Sequence, residues 1–529
     1  MRTLRCPLSC LPSLPLLLLP LLLAALLPGC AGDDAGDVAP AGEEWSVVPP
    51  GKADDYYSNV SREFEVSGTI QVSLDPARAT EEAYRKERIE GRITAVGLFL
   101  TAYMTNKLER FFSNMSFGGF SAMVRNYTVA AEDVQELEPG RLEVRFTIDL
   151  AGPRQLLEKL PLVEGPEAGS KYFVLVMPEG FTADPDYVPR GEIRNFNPET
   201  YGGAKEELLC RIEPEVEAND AYPDYLDLIG DGLVDITLWY GHDYNESRSD
   251  LREAEDAWRL LSGSMGFAAP AATFAELNPE SGPFTRTMLA NGQQVQLAVR
   301  IFHSDMFTSD RKKAHDLVLD ELRQRDVFFY NGHAGPYYGF YLSDDKPNDV
   351  KYQELATTEL PAKQQIVVAQ GCQTYSQYAD VFYANPAKSA ANLDVFTTVN
   401  FSYGEGTLGL LQNLLRLDRQ GVHQPQTYGR MVRDLNAEWW NSYKEVFYGV
   451  HGIDGNPRLH PYAALERIGQ PCEIVQDCGD AGGNVCIRRG EEQGKICGAV
   501  ALDQAQCPAG SSLFPLAQGS TIRSHACLP

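Results

Sequence analysis

Between residues 234 and 417 short apolar runs alternate with amphipathic stretches, and that rhythm leaves few folds open to the chain. "VDITLWY" (234–240), "VQLAVRIF" (295–302), "DVFFY" (326–330), "QIVVA" (365–369) and "DVFTTV" (394–399) read as buried strands. "SDLREAEDAWRLLSGSMGF" sets Leu251, Ala254, Trp258 and Leu261 at helical spacing behind Ser249 or Asp250 as a cap. "SDRKKAHDLVLDEL" (309–322) and "GTLGLLQNLLRL" (406–417) read as further helices. Such alternation predicts an α/β fold, a mostly parallel sheet with helices on both faces. Ligands then bind at the carboxyl ends of the strands.

The 529 residues allow two to four domains with sizeable cores. Residues 1–29 read as a signal peptide: Arg2 and Arg5 precede a Leu/Pro-rich run whose prolines argue against a spanning helix. The run ends in "LPGC" (27–30), which resembles the lipobox of bacterial lipoproteins. By that resemblance Cys30 is the lipidated first residue and the chain is held at the cell envelope, at the outer membrane or cell surface. An ordinary secretory signal is the alternative, and both mean export. No later run reaches the roughly 18 apolar residues that span a bilayer. Residues 30–55, rich in Ala, Gly, Pro and acid, read as a flexible acidic linker. Residues 56–210 mix strands ("RLEVRFTIDL", "KYFVLVMP") with a buried helix ("AVGLFLTAYMTNKLERFF") and read as an α+β accessory or pro-domain. Residues 211–468 hold the alternating core. Residues 469–529 are rich in Cys and Gly and read as a small disulfide-held module.

A net charge of −27 argues against a nucleic-acid partner, since nothing offsets phosphate repulsion. Export decides how the eleven cysteines are read. Cys6 and Cys10 leave with the signal, and six crowd the tail: Cys472, Cys478, Cys486, Cys497, Cys507 and Cys527. Six cysteines make three disulfides, with the pairing open. Cys210 and Cys372 remain, and a bond between them stays an alternative.

Two strands end in reactive residues. "DVFFYNGHAG" delivers His333 just past its strand, and "QIVVAQGC" delivers Cys372 in the same way. If those strands are parallel neighbours, a thiol and an imidazole emerge at one sheet edge, where they can act as nucleophile and general acid/base. Here the sequence resembles the caspase–gingipain superfamily of cysteine peptidases, in which an apolar strand followed by His-Gly precedes a second apolar strand followed by a small residue and Cys. "FFYNGHAG" and "IVVAQGC" match in order, and "QGCQT" is similar to the caspase "QAC" signature. The resemblance spans about residues 230–420. It implies a Cys372–His333 dyad, a thioester acyl-enzyme, and an oxyanion held by the backbone N–H groups of Ala334 and Cys372. Ala334 stands where the family usually has Gly, and it keeps the N–H. A protein or peptide substrate would lie along "GPYYGFYL" and "TYSQYAD", with Tyr337, Tyr338, Thr374 and Tyr375 lining the approach and His242 and Asp243 as pocket candidates. The rival reading is a catalytically inactive surface lipoprotein that binds peptides.

The dyad requires no cofactor. "DLIGDGLVD" (227–235) has Asp227, Asp231 and Asp235 at positions 1, 5 and 9 of a calcium-type loop, but lacks the ligands expected at positions 3 and 12. It reads first as a capped turn, with calcium as the alternative. His242, His303 and His333, with Asp305, all follow strands, which keeps a metallohydrolase as a third alternative. His315 sits inside a helix and reads as a surface residue. Sequons at Asn59, Asn114, Asn126, Asn245 and Asn400 carry no meaning in a bacterial lipoprotein.

Overall fold

The computed structural model describes residues 54–109, 123–128, 133–183, 193, 196–243, 248–334, 339–343, 348–400, 402, 406–440, 446–479, 481–488, 494–518 and 521–529. The signal peptide and nearly all of the linker lie outside these residues, as do Cys30, Tyr337, Tyr338, Asn114 and Asn245. Among the described residues no helix is long and apolar enough to cross a membrane.

The first sheet is wholly antiparallel. Strands β1 (Ser61–Ser73), β2 (Met123–Thr128), β3 (Val134–Glu138), β4 (Arg141–Pro153), β5 (Tyr172–Pro178) and β6 (Lys205–Pro214) run in the order β2-β4-β1-β6-β5, with β3 also paired to β4. Helix α1 (Glu82–Glu109) packs on one face. Phe64, Val66, Ile70 and Val72 of β1 meet Ile93, Val96, Phe99 and Leu100 of α1 in one core. The other face carries Glu65, Thr69 and Gln71, the one-sided alternation of a half-solvated sheet.

The second sheet holds the alternating region. Its strands are β7 (Leu233–Tyr240), β8 (Phe284–Ala290), β9 (Gln293–His303), β10 (Val327–Asn331), β13 (Gln365–Gln370), β14 (Leu393–Thr398) and β15 (Tyr448–His451). β11 (Gly339–Phe340) and β12 (Val350–Lys351) form a separate small pair. The order is β15-β14-β13-β10-β7-β9-β8. The five central strands are parallel, and β8 and β15 close the edges antiparallel. This sheet is therefore mixed, parallel through its five central strands as expected and antiparallel at both edges, and antiparallel pairing dominates the molecule as a whole. Helices α2 (Ser249–Ser262), α6 (Gly406–Leu414) and α7 (Tyr428–Trp440) share one core with Val327 and Phe329. Helices α3 (Arg311–Gln324), α4 (Tyr352–Thr357) and α5 (Tyr378–Tyr383) share the opposite core with Phe328 and Tyr330. A strand buried on both faces must be apolar throughout, which is why β10 and β13 read as continuous runs.

Along the parallel strands, chain order gives the arrangement second-first-third-fourth-fifth. The connections leaving β7 and β10 diverge there, which opens a crevice at their carboxyl ends.

The tail forms a four-stranded sheet of β16 (Asn484–Arg488), β17 (Lys495–Ala501), β18 (Ser512–Gln518) and β19 (Thr521–Leu528). Its disulfides are Cys472–Cys486, Cys478–Cys497 and Cys507–Cys527.

Candidate active site

β10 and β13 are parallel neighbours with Asn331 opposite Gln370. One residue farther, the Gly332 N–H donates to the Gln370 carbonyl at 3.1 Å. This register places His333 and Cys372 on adjacent strand exits. The exits touch: a Cβ on Gly371 would lie 2.3 Å from Ala334 Cβ, so only glycine fits there. The His333 carbonyl accepts from the Tyr330 hydroxyl and from the Tyr341 N–H, which pins the backbone beneath the ring.

His333 Nε2 lies 3.3 Å from Asp243 Oδ1, and the two side chains are 21% and 5% exposed. The second Asp243 oxygen accepts from Ser249 N–H at 2.9 Å and from Ser249 Oγ–H at 2.6 Å. Asp243 is thus bonded to the first turn of α2, where a carboxylate is favoured by unpaired N–H groups and the helix dipole. By accepting from Nε2–H it holds the imidazole in one tautomer and one orientation. Asp243 follows β7 and His333 follows β10, so the pair spans the crevice where the connections diverge.

Cys372 is 2% exposed. It is disulfide-bonded. Cys210 is a free thiol in the core beneath α1, where burial pushes its pKa up to about 12. The Cys210–Cys372 bond that the sequence left open is therefore not formed. Gln373, the next residue, has left-handed backbone (φ 60°) and is buried. A non-glycine residue there costs about 1–2 kcal/mol. Its surroundings hold it: Gln373 N–H donates to the Asn400 carbonyl at 2.9 Å.

Thr374 and Tyr375 were expected to line the substrate approach, but both are fully buried. The Thr374 hydroxyl donates to the Ala369 carbonyl at 2.8 Å, and the Tyr375 hydroxyl donates to Glu63 at 2.6 Å. They hold the loop after Cys372 from within. His242 turns to Ser304, with Nδ1 3.4 Å from the hydroxyl.

His303 is buried against Phe274, and burial lowers its pKa. Among the described residues no group of three metal-ligating side chains forms around His242, His303 and His333. Among the described residues the one set of three such groups within reach of a single ion is Cys472, Cys478 and Cys497, and these are in disulfides. The three carboxylates of the calcium-type loop are engaged separately. Asp227 accepts from Gln364 N–H at 3.1 Å, and Asp231 accepts from Leu233 N–H at 2.9 Å. Asp235 pairs with Arg325 at 2.9 Å. They close a turn at the amino edge of the sheet, the end opposite His333. His315, expected at the surface, is only 20% exposed at its side chain, with Nε2 2.7 Å from Glu354.

A polar chain under the strand exits escaped the sequence reading. The Asn331 amide donates to Glu253 at 2.8 Å and to Thr407 at 3.1 Å. The Thr407 hydroxyl donates to Gln370 at 2.6 Å. This ties α2 and α6 to both reactive strand ends. Its signal was a polar residue before the glycine in both "YNGH" and "AQGC". Compared with family models and with curated proteins, the chain matches none.

Proposed function

We propose that this protein is an exported, lipid-anchored cysteine endopeptidase of caspase-like layout, acting through Cys372 and His333. The observation that carries the reading is the Asp243–His333 pair across the crevice, on the strand exit that touches the one bearing Cys372. A nucleophile needs a base, and the base needs a group that fixes its tautomer.

In the reaction, the His333 imidazole takes the Cys372 thiol proton and Sγ attacks a peptide carbonyl. The oxyanion accepts from the N–H groups of Ala334 and Cys372. Collapse breaks the C–N bond, and the imidazolium gives its proton to the departing amine. His333 then deprotonates water, which cleaves the thioester, releases a carboxylic acid and returns the thiol.

This chemistry requires the Cys372 disulfide to be open.

The test is alkylation of the processed protein by an iodoacetamide probe at pH 6.5. Wild type is compared with Cys372→Ala and His333→Ala, followed by a peptide-cleavage screen. Fast labelling at Cys372 that falls when His333 is removed supports an activated thiolate. Slow labelling that ignores His333 sinks the peptidase. The second reading, an inactive peptidase-like lipoprotein that binds peptides, draws on the 2% exposure and the disulfide of Cys372. It expects that slow outcome together with peptide binding.

A further inference from the structure

The loop after Cys372 is held by the N-terminal domain as well as by its own. Tyr375, three residues past Cys372, is fully buried, and its hydroxyl donates to Glu63 of β1 at 2.6 Å. Its ring meets Tyr56 edge-on at 5.4 Å. Asp380, on the helix that follows, takes two bonds from the Arg125 Nε at 3.1 and 3.0 Å and one from Nη2 at 2.7 Å. Arg125 belongs to β2, and its Nη1 also reaches Glu63 at 3.2 Å. The same guanidinium bonds Asp54 and lies 3.3 Å from His451 Nδ1. The side chains of Arg125, Asp54, Glu63 and Asp380 are 0–4% exposed. Met123, Ala151 and Tyr56 complete the contact around Tyr375, Val399 and Phe447.

Two strands of the first sheet thus grip the segment 375–380 from one side. Within the grip the backbone at Gln373 stays in a left-handed state that a free loop would leave. Bonds to a guanidinium and a carboxylate are directional, so they fix position as well as closeness.

We propose that the N-terminal domain positions the nucleophile: Glu63 and Arg125 lock Tyr375 and Asp380, and through them the turn that aims Cys372 at His333. The proposal rests on the peptidase reading. It makes residues 56–210 a permanent half of the working site rather than a segment whose removal activates it. Glu63, Arg125, Tyr375 and Asp380 are positioning residues, since none of them touches the reacting atoms.

The experiment uses the full processed protein, mildly reduced with a phosphine, as wild type, His333→Ala, Tyr375→Phe and Glu63→Gln. Tyr375→Phe keeps the ring and removes one hydroxyl. Cys372 alkylation rate, kcat, KM and the unfolding midpoint are read on each. The expected result is that both positioning variants stay folded at 25 °C while alkylation and kcat fall about 10- to 100-fold and KM moves less than about twofold, the signature of a misplaced reacting group. Wild-type alkylation and kcat in folded variants would overturn the positioning role and leave the peptidase standing. Slow wild-type alkylation that His333→Ala does not change overturns the peptidase, and this proposal with it. If one variant fails to fold, the other decides. If neither folds, the contact serves stability alone and the proposal is lost.

Discussion

Asp243 divides its two oxygens between two tasks. One caps the first turn of α2 and the other faces His333. Asp243→Asn should keep the cap, because an amide oxygen still accepts from Ser249. Its NH2 would donate to Nε2 instead of accepting, and so select the wrong tautomer. We expect kcat/KM for peptide cleavage to fall about 100- to 1,000-fold with little change in the unfolding midpoint. Gln373 gives a second residue-scale test. Gln373→Gly removes the left-handed penalty and should leave stability within about 1 kcal/mol of wild type in urea unfolding. Gln373→Val places a β-branched residue at φ 60° and should cost about 2 kcal/mol or more. "WYGHD" showed a histidine and an aspartate at a strand end. Which of the two would face His333 depended on the turn after Tyr240, and no sequence pattern encodes that turn uniquely.

At the scale of elements, the parallel strands were legible because two-sided burial forces unbroken apolar runs. The antiparallel edges were not read, for two different reasons. β8 and β9 are joined by Asn291-Gly292, both at positive φ (46° and 75°), which is the turn chemistry of a tight hairpin. That signal lay in the sequence. β15 is four residues long and pairs with β14 across some fifty residues, and nothing local announces it. β14 also carries a buried acid at its start. Burial pushes Asp394 up to about 7, although Tyr428, Asn456 and Gln364 donate to it. A carboxyl whose folded pKa is raised favours the folded state while it is protonated. Its contribution is full below about pH 4 and is lost as pH rises through 7. Thermal midpoints of the wild type should therefore drop between about pH 4 and pH 7, and Asp394→Asn should flatten that slope. A midpoint profile identical in the two proteins would show that Asp394 ionises without cost.

On the scale of the whole molecule, hydrogen bonds and ion pairs join the three larger sheets. Tyr57 pairs with Val450, so residues ahead of β1 dock on the edge of the second sheet. Arg458 bonds Asp503 at 2.8 Å, and His460 N–H donates to Val500, which fixes the tail against the same unit. Burial opposes ionisation of Asp54, but Arg125 and His451 overcome it and hold that carboxyl well below the usual range. Arg125→Met should leave three buried carboxylates without their shared cation. We expect a loss of about 3–5 kcal/mol in denaturant unfolding, little affected by salt because water and ions do not reach the pair. In the tail, replacing Cys507 and Cys527 with Ala opens a 20-residue separation and should cost about 3 kcal/mol, read as faster hydrogen exchange in β17 and β19.

The sequence by itself determined the two-sided strands, the helices that cover them, a Cys-rich tail, and the pair of strand ends that carry His333 and Cys372. These are local properties: hydrophobic period, caps, and a reactive residue placed after an apolar run. Tertiary structure alone decided that Asp243 faces His333, that Tyr375 turns inward, that Cys210 stays a thiol, and that Arg125 meets Asp380. The three pairs that formed, Asp243–His333, Glu63–Tyr375 and Arg125–Asp380, are 90, 312 and 255 residues apart, respectively. Pairing over such separations follows from how whole sheets pack, because a side chain's partner is set by the backbone that arrives opposite it and not by its neighbours in sequence.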